Sequence, residues 1–575
     1  MVSIQSHKVR GKTYWRIVES RRVNGKPRPV PVAYLGSADD LLSRLQGGED
    51  LRLHSSAHGA TAAVHKILLE LDIAGTIDRH LATAGRRVLP RKGSISKPSA
   101  KPPPLTNDGL SVGESLAIIA LGRACHATSK RGFAEWAKTT TLNELARIDV
   151  ASLTSQHFWD QMNQIPTSII SNIEAEIVAR AIEKFSLPID TLLYDATNFF
   201  TFIASTNARP ALPVRGHQKQ KRYDLRQVGV ALLCSRKEGV PLFHRTYQGN
   251  MSDAKCFHEL LPVIKERLEM MKANLENVTL IYDKGNVSRG NQKMVDDARL
   301  HYVTGLTVSG QRDIVNEANA NLSETKLDGG EVVQAWRTRK NIWGADRTAV
   351  VFVSDRLLSG QIRGILQHVE AAQCWLTRLS ETLAKGKQKR SKARIEQDIA
   401  ARLRGRQQLS RVLDVTLTGE KKLTLKWTFR QDVFDSLAAA TLGRVVLVTD
   451  RHEWSTVDII KAYRSQADVE AAFSDLKDHE HLALRPQYHW TDQKIEVHVF
   501  TCALGLLLAK LLFLRARSAG APYASFQSLL RALSRVRRVR VARRTTEKGK
   551  FRITTQLEEV EPELQPLLPL LGITT

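Results

Sequence analysis

Two short apolar runs with the same ending constrain this chain most: Leu192-Leu193-Tyr194-Asp195 and Leu280-Ile281-Tyr282-Asp283. Each reads as a strand that stops at a carboxylate, and a strand end holds its side chain at a fixed place on a sheet rim. A single Asp after a strand is commonly a turn former or a helix cap. The surroundings argue for more. Gln227 to Cys234 and Val240 to Tyr247 read as strands across a Gly239 turn, and Gly249 to Asp253 caps a helix reaching about Lys272. Gly290 to Arg299 reads as a helix and His301 to Gly305 as a strand. Strands joined by short turns, then alternating with helices, predict a mixed α/β sheet.

A third carboxylate comes from Ile459 to Lys477, IIKAYRSQADVEAAFSDLK. Wound as one helix at roughly 100° per residue, Ala462, Val469, Phe473 and Leu476 form an apolar stripe. Arg464, Asp468 and Asp475 fall on the far side, as a solvated face. Tyr463, Gln466, Glu470 and Lys477 line up beside the stripe, at the margin of core and water. The bland alternative is a surface helix whose Glu and Lys are solvated. Asp195, Asp283 and Glu470 converging on one place would repel one another unless cations lay between them. Mg²⁺ is held by one or two carboxylates plus phosphate oxygens, and two such ions roughly 3.5–4 Å apart clamp an in-line phosphoryl displacement.

Charge agrees with a phosphate-bearing partner. A net charge of +26 and a pI near 9.9 point to an extended polyanion, DNA or RNA. The five cysteines are scattered with no CxxC pair, which argues against a zinc site or a disulfide framework and fits a reducing interior. The start, MVSIQSHKVRGK, lacks the apolar core of a signal peptide. Val497 to Leu514 is interrupted by His498, Thr501 and Lys510 and reads as a core helix, not a membrane span.

At 575 residues the chain holds more than one domain. Residues 1–36 form a basic β-hairpin, with Thr13 to Val18 and Arg28 to Tyr34 flanking an Asn24-Gly25 turn. Residues 37–185 are helical, including Ala38 to about Leu81, with a basic Pro/Ser-rich linker from Arg86 to Pro104. They read equally as a DNA-end-binding module or a packing scaffold. Residues 186–309 and 443–520 form two parts of the sheet domain, the first with a basic loop at Lys219, Lys221 and Arg222. Residues 310–442 read as an insertion, with basic helices that either track DNA or form a solvated antiparallel pair. Residues 521–575 are basic, and Arg535 to Arg544 alternates as a strand whose Arg537, Arg538 and Arg540 suit a phosphate-facing edge.

Most of the chain resembles one family, the insertion-sequence transposases of the DDE class, with a ribonuclease-H-like catalytic domain. The resemblance rests on the hairpin ending AYLG, YDATNFF at the first Asp, YQGNMSD, YDKGN at the second, and YRSQADVEAAFSDLKD followed by RPQYHW. It is nearest the branch marked by a Tyr–Arg–Glu–Lys helix with two, three and six intervening residues, a spacing filled here by Tyr463, Glu470 and Lys477. Gln466 stands where that branch has Arg. Arg464 lies roughly 160° away around an ideal helix and cannot take its place.

The resemblance implies Asp195, Asp283 and Glu470 as catalytic, metal-binding carboxylates with two Mg²⁺, for which Mn²⁺ can substitute. It also implies Tyr463, Gln466 and Lys477 beside the transposon end, and an insertion domain before Glu470. The implied reaction is hydrolysis at the element's ends, then attack of the freed 3′-hydroxyl on target DNA. Double-stranded DNA (element ends and target) and a homodimer on it are the implied partners, with no membrane, in a cytoplasmic, nucleoid-associated setting. Two other classes fit less well. A structure-specific nuclease of the same fold would not need Tyr463, Lys477 and the long insertion. A non-catalytic DNA-binding derivative would not need all three carboxylates, although Gln466 is a departure such a copy would tolerate.

Overall fold

The computed structural model describes residues 2–23, 26–40, 42, 51–85, 110–204, 206–216, 222–236, 238–271, 273–386, 391–404, 408–420, 422–485, 487–544 and 551–574. The Asn24-Gly25 turn, the Arg86 to Pro104 linker, Lys219, Lys221 and residues 387–390 of the basic run lie outside them. The chain divides into two compact units, one of residues 1–70, 89–160 and 511–575, the other of residues 71–88 and 161–510.

In the first unit, β1 (Val2–Val9), β2 (Lys12–Val23) and β3 (Lys26–Ser37) form an antiparallel sheet in that order. The expected hairpin is its last two strands. The first joins through Arg10 and Gly11, both at positive φ (46° and 76°), the backbone of a two-residue hairpin turn. Residues 51–57 were expected to be helical and are a strand, β4 (Leu51–Ala57), because a distant partner strand pairs with them. Helices α1 (Gly59–Glu70) and α2 (Val112–Cys125) follow, the second started by a Ser111–Glu114 capping box.

The second unit is built on nine strands of one sheet. Its first five are β5 (Thr191–Thr201), β6 (Arg226–Ser235), β7 (Pro241–Gln248), β8 (Thr279–Tyr282) and β9 (His301–Leu306). Helix α3 (Asp253–Met270) lies between β7 and β8 in sequence, and α4 (Arg289–Asp297) between β8 and β9. Across the sheet these strands run β7-β6-β5-β8-β9. The β5–β8 and β8–β9 pairs are parallel, while β5–β6 and β6–β7 are antiparallel. The two hairpin connections account for the antiparallel half, and the helical crossovers for the parallel half. Every residue of β8 is buried, as a central strand covered on both faces requires. The order is consistent with the ribonuclease-H-like fold that the resemblance implies.

Beyond β9 the sheet continues antiparallel through β15 (Arg444–Thr449), β12 (Ala345–Val353), β11 (Val332–Ile342) and β10 (Ser323–Lys326). The stretch 310–442, expected to interrupt the sheet, thus supplies three of its strands. Its middle has a core of its own. Helices α5 (Asp355–Ala384) and α6 (Lys392–Leu403) bury Leu376, Leu379, Leu383, Ile395, Ile399 and Leu403 in a cluster shared with β13 (Leu413–Thr418) and β14 (Thr424–Phe429). The basic residues of both helices therefore sit on the faces away from that stripe.

The expected single helix over 459–477 is two, α7 (Thr456–Arg464) and α8 (Gln466–Lys477). Between them Ser465 turns its hydroxyl back onto the Ala462 carbonyl (2.6 Å), and the Asp468 N–H bonds to the Ser465 carbonyl, three residues back. All four residues of the expected apolar stripe are buried. Asp475, placed on the solvated face, is buried as well, and its carboxylate accepts from Lys510 at 2.8 Å. Lys510 belongs to α9 (Asp492–Ser518), a helix long and apolar enough to cross a membrane, whose apolar window is wholly buried in the protein. In the first unit, β16 (Arg537–Arg544) lies between β17 (Phe551–Leu557) and β4. It is the middle strand of three, not the expected edge.

Candidate active site

The first strand does not stop at Asp195 as expected, since the antiparallel pairing with β6 carries β5 on to Thr201; only Asp283 follows a strand end. The two tyrosines preceding the aspartates stand opposite each other in the parallel β5–β8 register, Tyr194 with Tyr282. Asp195 is thereby the next residue of β5 and Asp283 the first residue after β8, on neighbouring chain segments whose paired strands lie about 4.8 Å apart. Both tyrosines are buried against Phe257 of α3, with ring centroids at 5.0 and 4.7 Å. The Tyr282 hydroxyl donates to Gln292 of α4 at 2.9 Å. Phe257 thus lies under both tyrosines, an aromatic floor common to LLYD and LIYD.

Helix α8 lies on β5. Phe473 packs toward Phe199, and Lys477 sits over the Phe199 ring (5.3 Å) with its ammonium 3.4 Å from the Thr197 hydroxyl. Glu470 is on the exposed part of the same helix. Burial pushes the Asp195 carboxyl up to about 7, and the neighbouring charges of Asp283, Glu470 and Asp253 add to the rise. Asp283 and Glu470, the other two carboxylates predicted from sequence, are therefore within electrostatic reach of Asp195.

Asp253, first residue of α3, is a fourth that sequence reasoning used only as part of a helix start. An ideal Cβ on Gly285 would stand 3.3 Å from its carboxylate, so this acid lies against the turn that follows Asp283. The signal was present in YQGNMSD, but a Ser-Asp pair before an apolar run is first of all a cap.

Tyr463, expected at DNA, donates its hydroxyl to Asp283 Oδ1 at 3.1 Å, and burial together with that carboxylate raises its pKa. Gly305 of β9 makes the room, since a Cβ there would come within 2.7 Å of the hydroxyl. Gln466 is half-buried, and its amide nitrogen has no hydrogen-bond partner among the described residues. Arg464 points elsewhere, forming a two-pronged pair with Glu331 at 2.8 and 3.0 Å.

The three strand arginines belong to the first unit and are already engaged there. Arg537 donates to the Ser55 hydroxyl and carbonyl at 2.6 and 2.8 Å. Arg538 and Arg540, on the other face of β16, share Glu144 at 3.1 and 3.8 Å.

Among the described residues, no three His, Cys, Asp or Glu side chains are gathered closely enough to hold one metal ion. Electrostatic reach is a longer scale than coordination, and the donor chemistry fits a hard divalent cation. The groups are oxygen-only carboxylates, and one of them is driven toward its protonated form by burial and then by its acidic neighbours, a cost that a cation between them would reverse.

Two acids that follow register-paired tyrosines on a mixed sheet of this order define an α/β protein with an acidic site, consistent with the ribonuclease-H-like transposase fold. A family model of the transposase DDE domain matches residues 187–508, more than half of the chain, and the chain belongs to that family. Among solved structures it is similar to the piggyBac transposase synaptic complex with hairpin DNA, at a TM-score of 0.38 and 9% identity over 82% of this chain and 78% of that one. It is similar also to the Mos1 transposase paired-end complex with the left transposon end, at a TM-score of 0.15 and 12% identity over 36% and 61%. The comparison with curated proteins finds no match.

Proposed function

We propose that this protein is a DNA transposase that hydrolyses the phosphodiester at the ends of an insertion sequence and joins the freed 3′-hydroxyl to target DNA. The observation that carries the reading is that Asp195 and Asp283 each directly follow a tyrosine of the register pair Tyr194–Tyr282, inside a match to the DDE domain, with Glu470 within electrostatic reach of Asp195. In this reading Asp195, Asp283 and Glu470 hold Mg²⁺ or Mn²⁺. When bound, the metal supplies Lewis-acid activation and neutralises charge at the phosphate. The chain's own task is positioning. Tyr463 fixes the rotamer of Asp283, Lys477 brings a cation to the β5 surface two residues past Asp195, and Gln466 offers a neutral donor where the Tyr–Arg–Glu–Lys branch has a charged fork. Arg537, Arg538 and Arg540 would add phosphate contacts once released from their partners. The chain works on double-stranded DNA as a homodimer, in a cytoplasmic, nucleoid-associated setting.

The test is cleavage of a duplex carrying the terminal repeat that flanks the gene. Asp195→Asn, Asp283→Asn and Glu470→Gln should each abolish Mg²⁺-dependent cutting while leaving end binding largely intact. Near-wild-type cutting by any one of them removes that residue from the metal site.

A further inference from the structure

Strand β5 runs past Asp195 to Thr201, and the chain then exposes an aromatic side chain, Phe202, at 46%. Two more stand in the 487–490 segment, Tyr488 at 64% and Trp490 at 58% exposed. They are neighbours: the Phe202 and Tyr488 rings have centroids 5.7 Å apart, and all three line one open cleft of about 450 Å³ with Ile203, Asn207 and Arg209. Three large aromatics exposed together in one cleft are not ordinary surface, since single exposed apolar residues need no explanation and clusters do.

The cleft is held by a backbone frame. The Phe202 N–H bonds to the Gln487 carbonyl at 2.8 Å, and the Asn207 amide donates to the Trp490 carbonyl at 3.3 Å. The Asp492 carboxylate accepts from the Ala211 and Leu212 N–H groups, both at 2.9 Å. Its rim is basic. The Arg209 guanidinium is exposed and makes no ion pair among the described residues, and an adjoining cleft is lined by Arg215 and Arg226.

We propose that this cleft binds unpaired bases of a DNA strand, stacking them on Phe202, Tyr488 and Trp490 while Arg209 holds the backbone phosphate. The inference rests on DNA as the substrate. The choice of occupant follows from the chemistry. Stacking aromatics with a neighbouring unpaired arginine are what a single strand offers its bases and phosphates to, and a duplex buries its base faces. Phe202 lies seven residues beyond Asp195, roughly 23 Å of extended strand, so the bases held are not those at the carboxylates.

The experiment measures binding of the full chain to a fluorescein-labelled oligothymidine and, separately, to a blunt duplex. Phe202→Ala, Tyr488→Ser and Trp490→Ala should each weaken oligothymidine binding by roughly 5- to 100-fold, with duplex affinity changed less than about twofold. Tyr488→Phe should bind as wild type, since stacking needs the ring and not the hydroxyl. Duplex binding by the wild type tests the DNA reading and oligothymidine binding tests the cleft, so wild-type duplex binding with oligothymidine affinity unmoved in the variants fails the cleft alone. Oligothymidine affinity unmoved in all three variants, or falling in step with duplex affinity, overturns the proposal. A Tyr488→Phe defect as large as that of Tyr488→Ser does so too.

Discussion

At the scale of single residues, Asp195 carries the most information, because its environment opposes its charge. Its folded pKa, about 7, lies above the ordinary 3.8. The folded state therefore holds a proton there that the unfolded chain has lost, and stability falls as pH rises from about 4 to about 7. The cost reaches at most roughly 4 kcal/mol, and the titration belongs to the coupled acids together. In metal-free buffer, Asp195→Asn should raise the melting temperature at pH 8 and leave it nearly unchanged at pH 4. Mg²⁺ should stabilise the wild type at pH 8 more than it does the variant. Scanning fluorimetry across pH decides this, and equal melting temperatures at pH 8 would refute the strained carboxylate. Gln466 is the second informative position. With its amide nitrogen unpartnered among the described residues and Arg464 held by Glu331, Gln466→Arg should tighten binding to the element's end by about 1–2 kcal/mol in a gel-shift titration. A loss of binding would mean that another cation already serves that place.

At the scale of elements, the two apolar runs before the aspartates were legible because Leu192 to Tyr194 and β8 are apolar and buried, whereas the continuation of β5 to Thr201 depends on its pairing with β6 and was not. The break between α7 and α8 was not legible either. Ser465 is compatible with a continuous helix; the break is an Asp468 N–H bond to the Ser465 carbonyl three residues back, and the helices on its two sides meet different partners, Tyr463 with Asp283 and Lys477 with Thr197. Asp475 was misplaced for a related reason. A helical wheel sees only its own helix, and the partner that makes burial tolerable, Lys510, comes from α9. Removing one member of such a pair leaves an uncompensated buried charge, at a cost of about 3–5 kcal/mol. Asp475→Leu should lower stability by that amount and, by loosening the helix that carries Glu470, reduce cleavage. Asp475→Leu with Lys510→Met should recover most of the stability. Denaturant titrations that find the double variant no better than the single would show that the pair does not anchor α8.

At the scale of the whole molecule, the charge of +26 was plain in the composition, while its availability was not. The sheet's extension past β9 and the central place of β16 depend on pairings between segments far apart in sequence, which alternation alone does not encode. The same holds for the arginines of β16. Read from sequence they are free cations at an edge; folded, Arg538 and Arg540 share one carboxylate, and Arg537 is bonded to β4. If this strand meets DNA, Glu144 competes with phosphate for both guanidinium groups. Each phosphate neutralised releases counterions and steepens the fall of log K with log salt by about 0.9. Glu144→Gln removes the competitor and should steepen the slope by roughly one to two such increments, raising affinity most at low salt. Arg538→Ala with Arg540→Ala, made in the Glu144→Gln background, should return the slope to the wild-type value or below it. Anisotropy titrations of an end duplex over a range of NaCl concentrations measure both. A slope indifferent to Glu144 would place the DNA path away from β16, and the excess positive charge would then act through other surfaces of the chain.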